Sequence, residues 1–134
     1  MKDVSLFVDG SCRGNPGPGG YCAILQANGH EKTLVGGDDQ TTNNRMELMG
    51  VLAGLQMLKR PCAVNIITDS QYVVTILRGG KAKANRDLVQ ALQVAATTHQ
   101  ITVQRVAGHS GHALNERCDR LAYAEATRRM SSAG

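Results

Sequence analysis

Aromatic residues are nearly missing from this chain: its 134 residues include three Tyr, one Phe and no Trp. Single-strand binders of the OB or RRM kind stack bases on aromatic side chains, a platform this sequence cannot supply. No apolar run approaches the roughly 20 residues a membrane helix needs. The opening MKDVSLFVDG carries an acid at Asp3 and has no h-region, so no signal peptide is expected. The four cysteines, Cys12, Cys22, Cys62 and Cys118, lie far apart with no CxxC. That spacing suits reduced thiols in a cytoplasmic protein and argues against a metal knuckle or a disulfide framework. Linkers, repeats and low-complexity stretches are missing too, so residues 1–134 read as a single domain with a disordered tail from about residue 130.

What remains is a soluble globular composition, 42% hydrophobic and 19% charged, in which aliphatics must build the core. The net charge of +4 fits a polyanionic partner without establishing one. Val4–Val8 reads as a strand with Val4, Leu6 and Val8 on one face and Phe7 on the other. The next stretch, GSCRGNPGPGG, reads as a long loop short of side chains. Gly20–Ala27 and Glu31–Gly36 follow as two strands joined at Asn28-Gly29, the strongest short hairpin signal. Apolar residues at 48, 51, 52, 55 and 58 then fall at helical spacing, with Thr41 or Thr42 as the cap. Ala63–Thr68 is apolar on both faces apart from Asn65, as a central parallel strand is. Ser70 caps a helix Gln71–Leu77, a second helix runs from about Asp87 to Thr98, Ile101–Val106 alternates as a strand, and Ala113–Arg129 forms the last helix. The order βββαβααβα predicts an α/β fold: a five-stranded mixed sheet, an antiparallel meander plus parallel strands, with helices on both faces.

Four acids end elements. Asp9 and Asp69 close strands, while Glu47 and Asp119 lie early in helices. In open α/β sheets, sites gather at the carboxyl ends of strands. Each acid alone has a plain explanation, since acids cap helices and favour helix N-termini. Gly50 and Gly54 weaken that explanation for Glu47. Glycine inside a helix costs about 1 kcal/mol relative to alanine, which suggests an edge pressed close to the sheet. Converging carboxylates persist when something positive occupies them. Hard oxygen ligands point to Mg²⁺ or Mn²⁺, and two such ions are a common device for phosphodiester hydrolysis.

The blocks DGSCRGNPGPGGYCAIL, TTNNRMELMGVLAGL, ITDSQYV and VAGHSGHALNERCDRLA occur in this order and closely resemble the signature blocks of type 1 ribonuclease H, over Val4 to about Ala126. The resemblance implies a ribonuclease H-like fold and an endonuclease that cuts the RNA strand of an RNA/DNA hybrid, leaving 3′-hydroxyl and 5′-phosphate ends. It implies that Asp9, Glu47, Asp69 and Asp119 hold two Mg²⁺ ions and that His109 assists proton transfer or product release. It further assigns Gly10, Ser11, Asn15, Thr42, Asn43, Asn44, Gln71 and Asn85 to substrate contacts. Small amide donors on a glycine-rich backbone suit the shallow minor groove in which a 2′-hydroxyl is read. The expected partner is the hybrid, with no membrane, and the chain is expected to act as a monomer.

Two departures touch substrate affinity. The long basic, Trp-containing insertion of better-known bacterial relatives is shortened here to RGGKAKAN, leaving Arg78, Lys81, Lys83 and Arg86. In the family's pocket for a DNA-strand phosphate, Thr42 and Asn85 match, but Gln40 stands where an arginine is usual. The alternatives are a nuclease of the same fold acting on DNA, and a hybrid-binding module without catalysis. The 2′-hydroxyl-reading blocks speak against the first, and the presence of all four acids against the second.

Overall fold

The computed structural model describes residues 1–107 and 112–133. Nine elements follow in chain order: β1 (Lys2–Cys12), β2 (Gly17–Ala27), β3 (His30–Thr41), α1 (Asn43–Gln56), β4 (Cys62–Thr68), α2 (Gln71–Leu77), α3 (Arg86–Ala96), β5 (Gln100–Arg105) and α4 (Ala113–Ala133). The sheet order is β3-β2-β1-β4-β5. β1, β2 and β3 are an antiparallel meander, while β4 lies parallel to both β1 and β5. This is the mixed five-stranded α/β sheet that the element order predicts.

The alternation of β1 divides the core in two. Val4, Leu6 and Val8 join Leu48, Val51 and Leu55 of α1, Val73 and Ile76 of α2, and Leu88 and Leu92 of α3. Phe7 faces the other way and packs with Ile24, Ile67 and the α4 residues Leu114, Cys118 and Ala122. Helices therefore cover both faces. Burying aliphatic side chains of this size is worth about 1.5–3 kcal/mol each, which explains how a core without Trp suffices. Between β2 and β3, Asn28 and Gly29 both take positive φ (52° and 76°), the pattern a two-residue hairpin turn requires.

Two expectations fail. The stretch from Gly10 to Gly19 is mostly strand, not loop: β1 continues to Cys12, β2 begins at Gly17, and the pairing extends to Cys12↔Gly19. Gly10, Gly19 and Gly20 are there because helices press on the strands, while Gly14, at φ 89°, and Gly17, facing Arg13 O, serve the short turn over 13–16. A Cβ at Gly10 would lie 2.6 Å from Glu47 N and 2.7 Å from Met46 C, and one at Gly20 would lie 2.5 Å from Ala122 O. At the other end of the chain, α4 continues to Ala133 through the segment expected as a tail. Arg129 ties it to Glu125 and Asp39, and Ser131 Oγ donates to Thr127 O at 3.3 Å.

Because the atoms facing Gly10 are helix backbone, they have little freedom to retreat. Gly10→Ala is expected to destabilise the protein by about 1–3 kcal/mol, the usual cost of overpacking. Denaturant unfolding measures this; a variant as stable as wild type would show that α1 can move away from β1.

Candidate active site

β1 and β4 run side by side in parallel, with Phe7 opposite Ile67. Two residues further along each strand direction come Asp9 and Asp69, so the register itself delivers two carboxylates to one edge. Glu47 arrives from α1. Thr42 fixes the start of that helix, its Oγ1 accepting from Arg45 N at 3.2 Å, and the close contact at Gly10 sets its height above the strand. Asp119 arrives from α4, where the preceding Cys118 donates its thiol to Cys22 O at 3.1 Å and anchors the helix to β2.

One carboxylate oxygen from each of Asp9, Glu47 and Asp69 lies within 4.8 Å of the others, and the Asp119 carboxyl hydrogen-bonds with Asp9. Asp9 is 5% exposed and Glu47 9%. Burial, then the Asp69 charge, then the hydrogen bond with Asp119, push the Asp9 carboxyl up to about 8, against a lowering by the Gly10 amide, which donates to Oδ1 at 2.8 Å. Burial, then the Asp9 and Asp69 charges, hold Glu47 well above the usual carboxylate range. Glu47 Oε2 is buried and has no hydrogen-bond partner. An orphaned buried oxygen among mutually repelling acids is the condition a divalent cation relieves, and all-oxygen donors select a hard one. The residues present therefore fit a metal ion.

A neutral groove lies beside the acids, lined by Asn15, Thr42, Asn43, Asn44, Ala84 and Asn85. Asn15 Oδ1 accepts from Asn43 N at 2.9 Å, joining the β1–β2 turn to α1. Asn43 and Asn44 precede Glu47 on the same helix, so groove and acid cluster share one rigid element. Gly10 and Ser11 sit on β1 between Asp9 and the turn. Gln71 stands apart from the groove at the start of α2, where Nε2 donates to Thr75 Oγ1 at 3.3 Å. His109 lies outside the described residues. Sequence reading passed over Arg45, Tyr72 and Asp87, which surround Asn85. The signal available for Arg45 was a lone cation in the first turn of α1, where the macrodipole disfavours positive charge.

An acidic cluster at the carboxyl edge of a β1/β4 pair, on this strand order, defines a metal-dependent nuclease fold. The family model described as RNase H matches residues 1–127, and the chain belongs to the ribonuclease H family. It is 53% identical to the ribonuclease H of Cupriavidus metallidurans over 91% of this chain and 94% of that one. It is 50% identical to an Escherichia coli ribonuclease H over 94% and 90%. Among solved structures, the N-terminal RNase H domain of a Mycobacterium tuberculosis protein matches with a TM-score of 0.83 and 29% identity, covering both chains fully. LC11 ribonuclease H1, solved with an RNA/DNA hybrid, shares the fold at a TM-score of 0.75 and 18% identity. The chain is accordingly an enzyme, a hydrolase of the nuclease kind.

The raised carboxyls have a consequence for stability. Asp9 holds its proton to about 8 in the folded state but releases it near 3.8 when unfolded. Between those values the folded state binds more protons, so stability falls as pH rises. Asp87 and Glu125, whose carboxyls are lowered by Arg45 and Arg128, contribute with the opposite sign but at more acid pH. Metal-free protein is therefore expected to lose melting temperature from pH 5 to pH 8, with Asp9→Asn removing part of the slope, Glu47 supplying the rest, and Mg²⁺ flattening it in the wild type. Parallel curves for wild type and variant would refute the assignment.

Proposed function

We propose that the chain cleaves the RNA strand of RNA/DNA hybrids at the acid cluster with two divalent ions, leaving 3′-hydroxyl and 5′-phosphate ends. The observation that carries this reading is the approach of Asp9, Glu47 and Asp69 oxygens within 4.8 Å, with Glu47 Oε2 unpartnered. Asp9, Glu47, Asp69 and Asp119 would hold the ions. Bound there, Mg²⁺ supplies a nucleophile at neutral pH and neutralises charge on the leaving oxygen. Mn²⁺ satisfies the same donor set.

The chain's own contribution is position. Asp9 and Asp69 are fixed by strand pairing and Glu47 by a capped helix, so their geometry is built before substrate arrives. The groove offers amides and a hydroxyl, donors and acceptors of the kind that read a 2′-hydroxyl across a shallow minor groove. α1 carries both functions. Asn43 and Asn44 lie four and three residues ahead of Glu47, about 4.5–6 Å along the helix axis at 1.5 Å per residue. A hybrid held by its 2′-hydroxyls is thereby set at a fixed distance from the acids. In this reading His109 moves a proton or helps product leave, as the family resemblance implies.

A labelled hybrid, its all-DNA and all-RNA counterparts, and Mg²⁺ present or withheld make the test. Cleavage confined to the RNA strand of the hybrid, and dependent on Mg²⁺, is expected. Asp69→Asn should reduce turnover by several orders of magnitude with the fold retained. Cleavage of duplex DNA at equal rate, or of hybrid in chelator, would refute the reading. His109→Ala is expected to slow turnover about 100-fold, the low end for general acid–base catalysis, with Mg²⁺ affinity unchanged by calorimetry. Loss of Mg²⁺ binding in that variant would make His109 a ligand instead.

A further inference from the structure

Asn85 breaks two local rules at once. It stands at the N-cap of α3, where an Asn side chain ordinarily accepts a hydrogen bond from the first turn, yet it makes no such bond. Its backbone is left-handed, with φ 60° and ψ 31°, away from the extended region normal for a cap. Conformations of this kind persist where surrounding contacts over-determine them, and they concentrate at functional sites.

The side chain is held from two sides. Asn85 Oδ1 accepts from Arg45 Nη1 at 3.3 Å, and Asn85 Nδ2 donates to the Tyr72 hydroxyl at 3.1 Å. Arg45 is itself fixed by a bidentate pair with Asp87, with Nη1 to Oδ1 at 3.0 Å and Nη2 to Oδ2 at 2.8 Å. A forked pair of this geometry fixes the guanidinium plane as well as its position. Three elements thus converge on one carboxamide: α1 through Arg45, α2 through Tyr72 and α3 through Asp87. With its oxygen committed to Arg45, Asn85 keeps one N–H for an acceptor entering the groove shared with Asn15, Thr42, Asn43 and Asn44.

We infer that Arg45, Asp87 and Tyr72 are positioning residues that aim the Asn85 carboxamide at an acceptor oxygen of the bound nucleic acid, and that the Arg45 charge acts through this framework instead of pairing with a phosphate. The inference rests on the hybrid reading given above. By the family resemblance Gln40 stands where a phosphate-binding arginine is usual, and Arg45, committed to Asp87, is the cation that bonds Asn85 directly. Arg45 therefore tempts a simpler assignment as a replacement phosphate ligand, and the two roles predict opposite results.

Hybrid affinity is measured in chelator across a salt series for wild type, Asp87→Asn, Tyr72→Phe, Asn85→Ala and the Asp87→Asn/Asn85→Ala double variant, with steady-state kinetics in Mg²⁺ alongside. If Arg45 positions Asn85, Asp87→Asn weakens binding about fivefold, the worth of one well-aimed hydrogen bond, with an unchanged salt slope. KM then rises with kcat within twofold, and Tyr72→Phe behaves in the same way. In the Asn85→Ala background, Asp87→Asn costs nothing further, which a general loss of packing between α1 and α3 would not reproduce. If Arg45 is instead a phosphate ligand, Asp87→Asn frees its charge, tightens binding and steepens the salt slope by about 0.9. That result, or additive effects in the double variant, overturns the proposal. The Asn85 side-chain amide resonances give a readout free of substrate: they should be dispersed in wild type and collapse towards solvent-exposed values in Asp87→Asn. A wild type that neither binds nor cleaves hybrid sinks the functional reading, while unchanged Asn85 resonances in Asp87→Asn sink the clamp.

Discussion

The contact at Gly10 decides most of what this protein can do. Helix α1 lies so near β1 that a single methyl group would meet backbone atoms of Met46 and Glu47. From the opposite face, α4 meets Gly20 of β2 just as closely, through Ala122 and Ala126. Two helices are thus pressed onto the same hairpin from both sides. Asp9 and Cys22 sit paired in that squeezed region. That is why Asp9, close to the far end of a strand, is nearly inaccessible. It is also why Glu47 and Asp119, from helices on different faces, both come near Asp9.

Such compression is costly. Acids brought together in a dry setting repel, and the structure shows the strain as carboxyls that hold their protons, Asp9 to about 8. A sequence selected for stability alone would not build this edge, and active sites are where such departures are expected. The cost is offset at a distance by two aliphatic clusters, one on each face of the sheet, with Leu6, Val8, Leu48 and Ile66 fully buried in the larger. The division also keeps the helices independent of one another. α4 touches a different face from α1, so the position of Asp119 depends on its own packing and on the Cys118 thiol.

Much of the fold was legible because local signals agreed with the global arrangement. The hairpin turn at Asn28-Gly29, the bounds of α2, the two faces of β1 and the parallel strand before Asp69 all follow from patterns a few residues long. Misreading the glycine stretch as a loop has a physical cause. Gly10 and Gly19 mark close approach by α1, remote in sequence, while Gly14 serves a turn, and composition alone cannot separate the two. The four acids stood out because each ends an element. The surroundings of Asn85 did not. Arg45, Tyr72 and Asp87 are separated from one another by 15 to 42 positions, and each alone reads as an ordinary helix residue. Their meeting is a property of how α1, α2 and α3 pack. Local periodicity carries no trace of it.

The groove also separates attraction from discrimination. Its lining is neutral amide and hydroxyl, and the cation beside it, Arg45, is already paired with Asp87. The unburied positive charge nearby belongs to Arg78, Lys81, Lys83 and Arg86, all exposed on the short link between α2 and α3 and at the start of α3. Charges so exposed act over about a Debye length and weaken as salt rises. Amides held on a helix and a strand turn act at hydrogen-bond distance and are indifferent to salt. On the hybrid reading, the link sets how readily a nucleic acid arrives, and the amide groove sets whether its sugar edge is accepted. Shortening the basic stretch then reduces capture without touching selectivity.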